Sequence, residues 1–333
     1  MAVQANEIAA TTTQHIINVE TDALAIAHPA WKDMLKNKYK ASGLNVQFPI
    51  KLMQNVAQAY IPLTGATVDV SPSPQLQYGV LNWKGINYNI NFTLQDFAFT
   101  NGNEDKADYF SQKINGAMKD YVRLQAQSLV QGTMTTGALG LDGFFDMVAA
   151  SGTAYAGLLD TDYAANGLSP YLPFFGTDTT VNYAAINKLI TGLKARMQQD
   201  GESVRDMVGY WNAAVQQAFL NSAQAQQRFY EEKELSSGFE GIKVNGVNFY
   251  LDENMAYTTT SGTPPVTTDV NSVIIFPKSI MKLAHVFGLG ERSPFDGEIQ
   301  LPNQPIKSAQ HYSVLNAVCT NRRLIAFNNS LVA

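Results

Sequence analysis

A single cysteine, Cys319, leaves this chain unable to close a disulfide within itself, so its stability does not depend on an oxidising compartment. Charge is also scarce. Charged residues make up 15% of the chain and apolar residues 45%, where an average soluble protein carries roughly 25% charge. A 333-residue chain so short of solvating charge is expected to meet protein over much of its surface. The net charge of -5 argues against a nucleic-acid-binding domain, which normally shows a basic excess. No apolar run approaches the ~18 residues that mark a membrane span. The opening "MAVQANEIAATTTQ" has neither a basic n-region nor an apolar h-region, so no secretory signal is expected. A soluble cytoplasmic protein is the expectation, and its length allows about two domains.

Catalytic patterns are missing too. There is no Gly-x-x-x-x-Gly-Lys phosphate loop and no Gly-x-Ser-x-Gly elbow. Gly288 and Gly290 in "FGLGERSPFDG" lack the third glycine and the helix start of a dinucleotide site, which leaves a loop. His15, His28, His285 and His311 stand singly, with no pair at metal-ligand spacing. The pairs Asp160/Asp162 and Asp296/Glu298 fall short of the six to eight oxygens calcium takes. Cys319 lies in an apolar run, where a buried inert thiol is expected. "YEEKEL" at 230–235 reads as a solvated charged segment. No catalytic residue, cofactor or metal site is therefore expected.

What is present is periodic. In "GINYNINFTLQ", Ile86, Tyr88, Ile90, Phe92 and Leu94 alternate with Asn87, Asn89, Asn91, Thr93 and Gln95. This is a half-buried strand about 33 Å long whose other face is polar but carries no charge. "GLNVQFPIKL" has the same period through Leu44, Val46, Phe48, Ile50 and Leu52. Between them Pro62, Gly65, Pro72, Pro74 and Gly79 mark an irregular tip. The expectation is one long antiparallel hairpin over 44–97. Such a hairpin is marginal alone and needs cover from elsewhere.

Three helices are legible. Residues 104–131 repeat Phe110, Ile114, Ala117, Tyr121 and Leu124 at helical spacing, widened by Met118, Val122 and Leu129, and stop at Gly132. Residues 182–201 carry a second helix ending at Gly201. A third runs from about 213 to 229, with Asn212 as its cap. A stretch over 21–40 is helical with a break or restart at Pro29. "DMVGYW" and "SVIIFPK" read as strands, Asn245-Gly246 as a hairpin turn, and 258–269 and 151–180 as loops. "HYSVLNAVCTNRRLIAFNN" gives two strands turning at 320–322.

In order, these are an arm, a long hairpin, a very long helix, a compact α+β unit and a return to strands. The order resembles the major capsid proteins of tailed bacteriophages, with the coat fold named after phage Hong Kong 97. "MVGYWNAAVQQAFL", "GIKVNGVNFYLDENM" and "SVIIFPKSIMKL" are similar to its axial A-domain. "HYSVLNAVCTNRRLIAF", with Arg322 and Arg323, is similar to its closing strands. The resemblance implies an α+β chain with an N-terminal arm at 1–43 and an E-loop at 44–100. It also implies a P-domain at 101–150 and 273–333, whose spine helix is 104–131, and an A-domain at 151–272.

It further implies self-assembly into pentamers and hexamers of an icosahedral shell around double-stranded DNA, bound without sequence specificity. The shell would form in the host cytoplasm and end as the virion capsid. Portal, possibly decoration, and scaffolding proteins would be its partners; with only 43 residues before the E-loop, the scaffold would be a separate protein. In such a shell the E-loop crosses a neighbour, so Phe48, Ile50, Ile86, Tyr88, Asn89, Ile90, Asn91 and Phe92 are expected at contacts between subunits. A nanocompartment shell of encapsulin type, and more remotely an enzyme with an unseen site, are the alternatives.

Overall fold

The computed structural model describes residues 28–51, 76–93, 103–133, 139–148, 154–159, 171–204, 206–225, 231–234, 240–261, 266–289, 297–300 and 306–331. The expected arm before residue 28, the loop tip at 52–75 and the acidic pairs at 160/162 and 296/298 lie outside or partly outside these.

Helix α1 (Pro29–Lys36) starts with proline at its first turn, where a missing N–H costs nothing. The described part of the helix expected over 21–40 begins at Pro29 and ends four residues early. Lys38–Lys40 instead form strand β1, parallel to a later strand at Leu283–His285. Ala30, Trp31 and Met34 enter the main core. Two buried carboxylates hold the helix there. Asp252 Oδ2 accepts from the Ala30 amide at 3.4 Å, capping α1 from the far side of the sequence. Asp33 Oδ2 accepts from Tyr210 Oη at 2.8 Å and from Lys278 Nζ at 3.0 Å. Burial raises the Asp252 carboxyl and pushes the Tyr210 hydroxyl well above its ordinary value.

Strands β2 (Asn45–Lys51) and β3 (Leu76–Asn82) form an antiparallel pair. Strand β4 (Lys84–Thr93) then leaves that pair, and this corrects the hairpin expected over 44–97. Its antiparallel partner is β14 (Ile306–Cys319), opposite Ile306–Leu315. Trp83, between β3 and β4, pins the corner by donating from Nε1 to the Gly43 carbonyl at 2.8 Å. Alternation specified the faces of both strands, but it carries no information on which strand lies alongside.

Helix α2 (Asn103–Gln131) is the expected long helix, 29 residues and about 43 Å. Gly132 ends it at φ +60. A Cβ there would stand 1.8 Å from the Asp146 carboxylate, so glycine is required twice over. The short helix α3 (Phe144–Met147) follows. Strand β5 (Phe174–Phe175) lies inside the stretch read as loop. Helix α4 (Tyr183–Asp200) begins with Asn182 Oδ1 accepting from the Ala185 amide and ends at Gly201, φ 74. Strand β6 (Met207–Trp211) leads through Asn212, whose Oδ1 caps Val215 N at 3.1 Å, into helix α5 (Ala213–Ala225).

Strands β7 (Glu231–Glu234), β8 (Glu240–Val244) and β9 (Val247–Leu251) come next. The acidic segment is thus a strand paired to β8. The β8–β9 turn has Asn245 and Gly246 both at positive φ, 47 and 84, as a two-residue hairpin loop demands. Strands β10 (Ala256–Ser261) and β11 (Val266–Pro277) pair as a hairpin where a loop was expected. Their Thr-rich runs have strand propensity that the Gly-Thr-Pro-Pro punctuation obscured. Strands β12 (Met281–Phe287) and β13 (Gly297–Gln300), and after β14 strand β15 (Ala326–Leu331), complete the chain.

Two sheets result. The five-stranded one runs β1-β12-β14-β13, with β4 along the opposite edge of β14. The eight-stranded one runs β5-β15-β11-β6-β9-β8-β7, with β10 on β11. The last two strands turn where expected but enter different sheets. One core joins both sheets to α1, α3, α4, α5 and the C-terminal half of α2 through residues such as Val122, Leu129, Phe144, Trp211 and Val318. A small separate core seats Ile90, Phe92 and Ala309 on Ile114, Met118 and Tyr121 of α2. Leu124, placed by its spacing on the buried stripe, is 44% exposed.

Candidate assembly surface

The β2–β3 pair has two unlike faces. Val46, Phe48, Ile50 and Leu81 point into the main core of their own chain. Phe48 lies across Gly79, where a Cβ would stand 2.7 Å from the ring. On the opposite face Gln47 is opposite Val80 and Pro49 is opposite Tyr78, all exposed. Tyr78 is 63% exposed, and Leu44, just before β2, is 95% exposed. Large apolar side chains gathered on one strand pair and left in water mark an interaction surface more than a monomer's outside.

Strand β4 is divided the same way. Ile90 and Phe92 are buried on α2, with Lys113 Nζ 5.5 Å from the Phe92 ring centroid. Ile86 and Tyr88 are half-buried on that side; Tyr88 donates to Met118 Sδ at 2.6 Å and packs its ring 4.6 Å from Tyr121. Tyr121 in turn hydrogen-bonds Ser313 of β14. Asn87, Asn89 and Asn91 are exposed on the other face. Of the residues expected between subunits, Phe48, Ile50, Ile90 and Phe92 are therefore covered by their own chain, a correction with a simple cause. Each belongs to an apolar set that a core of the same subunit reaches first. Asn89 and Asn91 remain presented outward, and Ile86 and Tyr88 lie at the margin.

The root of this region is clamped. Asn316 on β14, fully buried, donates to the Asn82 carbonyl at 2.8 Å and to Asp142 Oδ2 at 2.6 Å. Lys84 Nζ lies 3.9 Å from the other oxygen of Asp142. Burial raises the Asp142 carboxyl, while Asn316 and Lys84 pull it down. Tyr78, Val80, Pro49 and Leu44 were missed as surface candidates. The signal was available in the odd-even split of β2, but the chain up to Gly79 was read as the irregular tip.

Among the described residues, no three His, Cys, Asp or Glu side chains converge to hold a metal. Cys319 is fully buried and its thiol is pushed up to about 12 by that burial, an inert state. A cleft of ≈ 340 Å³ beside the start of α4 is lined by threonines, Asp178 and Lys188. Those two charges pair with each other at 3.1 Å. No described helix is long and apolar enough to cross a membrane.

No protein-family model matches the chain, and no curated protein matches it in sequence. Solved structures do match in fold. The cyanophage A-1(L) capsid superposes with a TM-score of 0.63 at 11% identity, over 92% of this chain and 93% of its own. The holo-SrpI encapsulin complex of Synechococcus elongatus PCC 7942 gives 0.54 at 8% identity, over 91% and 88%. The mature capsid of bacteriophage PhiM1 gives 0.52 at 12% identity, over 89% and 86%. With agreement across nine-tenths of the chain and almost no shared sequence, this protein has the α+β coat fold of the Hong Kong 97 type.

Proposed function

We propose that the chain is the major capsid protein of a tailed double-stranded DNA phage, a structural subunit that assembles with copies of itself into an icosahedral head. The observation that carries this reading is the coat fold over nearly the whole chain. The exposed apolar face of the β2–β3 pair supports it, since its own chain leaves Tyr78, Val80 and Leu44 in water. Many copies closing under point symmetry need only modest individual contacts, because multivalency sums them.

In this reading residues 1–43 are the arm and 44–100 the E-loop. The P-domain takes 101–150 and 273–333, and the A-domain takes 151–272. Asn89 and Asn91, flanked by Ile86 and Tyr88, lie at subunit contacts. Scaffolding, portal and decoration proteins are its partners, packaged DNA is its content, and it turns over no substrate. The amide face suits a shell whose pentamers and hexamers present slightly different neighbours, since amides donate or accept while misplaced like charges repel.

Negative-stain imaging of the purified chain, and of the chain expressed beside its neighbouring genes, tests this directly. Polyhedral particles are expected; a chain that stays monomeric in both settings overturns the proposal. The likeness to an encapsulin favours one second reading, a nanocompartment. The contents separate the two: nuclease-protected DNA for the phage head, a packed enzyme for the compartment.

A further inference from the structure

The edges of the five-stranded sheet are unequal. Strand β1 is three residues long and reads Lys-Tyr-Lys with both lysines exposed, a usual way of blunting an edge against other strands. Strand β13 has four residues. Strand β4 has ten, pairs with β14 in unbroken register, and has no proline within it. Its outward side chains over Gly85–Asn91 are uncharged, and among the described residues no strand lies along its other edge. Charge, proline, a bulge and shortness, ordinary devices that keep an edge from templating a second strand, are missing from the described stretch Gly85–Thr93.

We infer that β4 pairs antiparallel with β4 of a second copy across a two-fold axis passing beside Asn89. The inference rests on the shell reading for the reason two copies meet. Its register follows from the faces. Ile90 and Phe92 must stay on their own α2, so residues of like parity face each other; a slip by one would turn the apolar set to the amide side. Centring on Asn89 uses Gly85 through Thr93 fully. It sets Asn89 against Asn89, Asn87 against Asn91, Tyr88 against Ile90 and Ile86 against Phe92. An isologous contact brings each residue against its own kind or its mirror position, so any charge on this face would meet a like charge. A ladder of amides avoids that, each able to donate and accept. Lys84, the single charge of the strand, falls outside the paired stretch. The five-stranded sheets of two subunits then become one continuous sheet.

The test uses a disulfide, for which the only native thiol, Cys319, is buried and out of reach. Residues directly opposite in an antiparallel pair have Cα atoms about 4.5–5.5 Å apart, within the span a disulfide accepts. Asn89→Cys particles, oxidised and run without reductant, should convert most of the chain to a dimer. Asn87→Cys alone and Asn91→Cys alone should not, while a mixture of the two should. Particles that form normally but leave Asn89→Cys uncrosslinked overturn the pairing and leave the shell reading standing. Dimers from Asn87→Cys alone overturn the register.

If no particles form, the shell reading fails, and the same oxidation on the concentrated soluble chain still decides the pairing. As an independent check, Asn89→Lys places two ammonium groups face to face on the axis. It should abolish the association and leave the subunit's Tm unchanged. Unimpaired association of that variant would overturn the proposal.

Discussion

Strands β2 and β4 look alike in sequence, each alternating apolar and polar residues, yet they are held differently. β2 places Val46, Phe48 and Ile50 in the main core, among residues from both sheets. Among the described residues, β4 places Ile90 and Phe92 in a small core made with α2 and β14. The lesson concerns redundancy. A side chain in a many-walled core is fixed from several directions, whereas one in a two-walled core can be accommodated by a modest shift of either wall.

Truncation should expose that difference. Phe48→Ala empties a site roofed by Gly79 and walled by fixed elements, so a loss of about 4 kcal/mol is expected in chemical denaturation. Ile90→Ala should cost about 2 kcal/mol, because α2 and β4 can close on the gap. A larger loss for Ile90→Ala than for Phe48→Ala would reverse the ranking of the two cores. The outer face of the β2–β3 pair carries the opposite expectation. Tyr78→Ser with Val80→Ser should change subunit stability by less than about 0.5 kcal/mol while sharply lowering particle yield by electron microscopy. Normal particles from that double variant would leave the exposed face without a role.

The smallest effect expected is pH-dependent and concerns α1, which is tied to the main core through Asp252. Burial raises that carboxyl in the folded state above its unfolded value. Its contribution to stability is therefore fully present below the ordinary carboxylate range and is lost as pH rises through the raised value. Asp252→Asn keeps an acceptor for the Ala30 amide and removes the titration. Subtracting its stability profile from the wild type should leave a fall with rising pH just above the usual carboxylate range. A flat difference would mean the carboxyl is not desolvated as the fold shows.

Much of this was legible residue by residue. The long helix ends at Gly132 because only glycine takes that φ beside Asp146. Asn212 caps a helix, and Asn245-Gly246 turns a hairpin. These are short-range choices, made within a few residues of chain. The candidate surface was read only in part. Asn89 and Asn91 face outward as their alternation required, but Phe48, Ile50, Ile90 and Phe92 were assigned to a neighbour when their own cores take them. Within the Thr-rich 258–269, read as loop, Thr258–Ser261 and Val266–Asp269 pair with each other as the two arms of a hairpin.

The sequence by itself determined which residues share a face, where helices begin and end, and that the chain is poor in charge, since these follow from local backbone preference and composition. Only the tertiary structure decided that β4 lies against β14 and not β2, that β14 and β15 part into different sheets, and which apolar faces stay uncovered. Strand pairing is a contest between distant segments with equal hydrogen-bonding power. Its outcome depends on what else is packed nearby, which no stretch of sequence records alone.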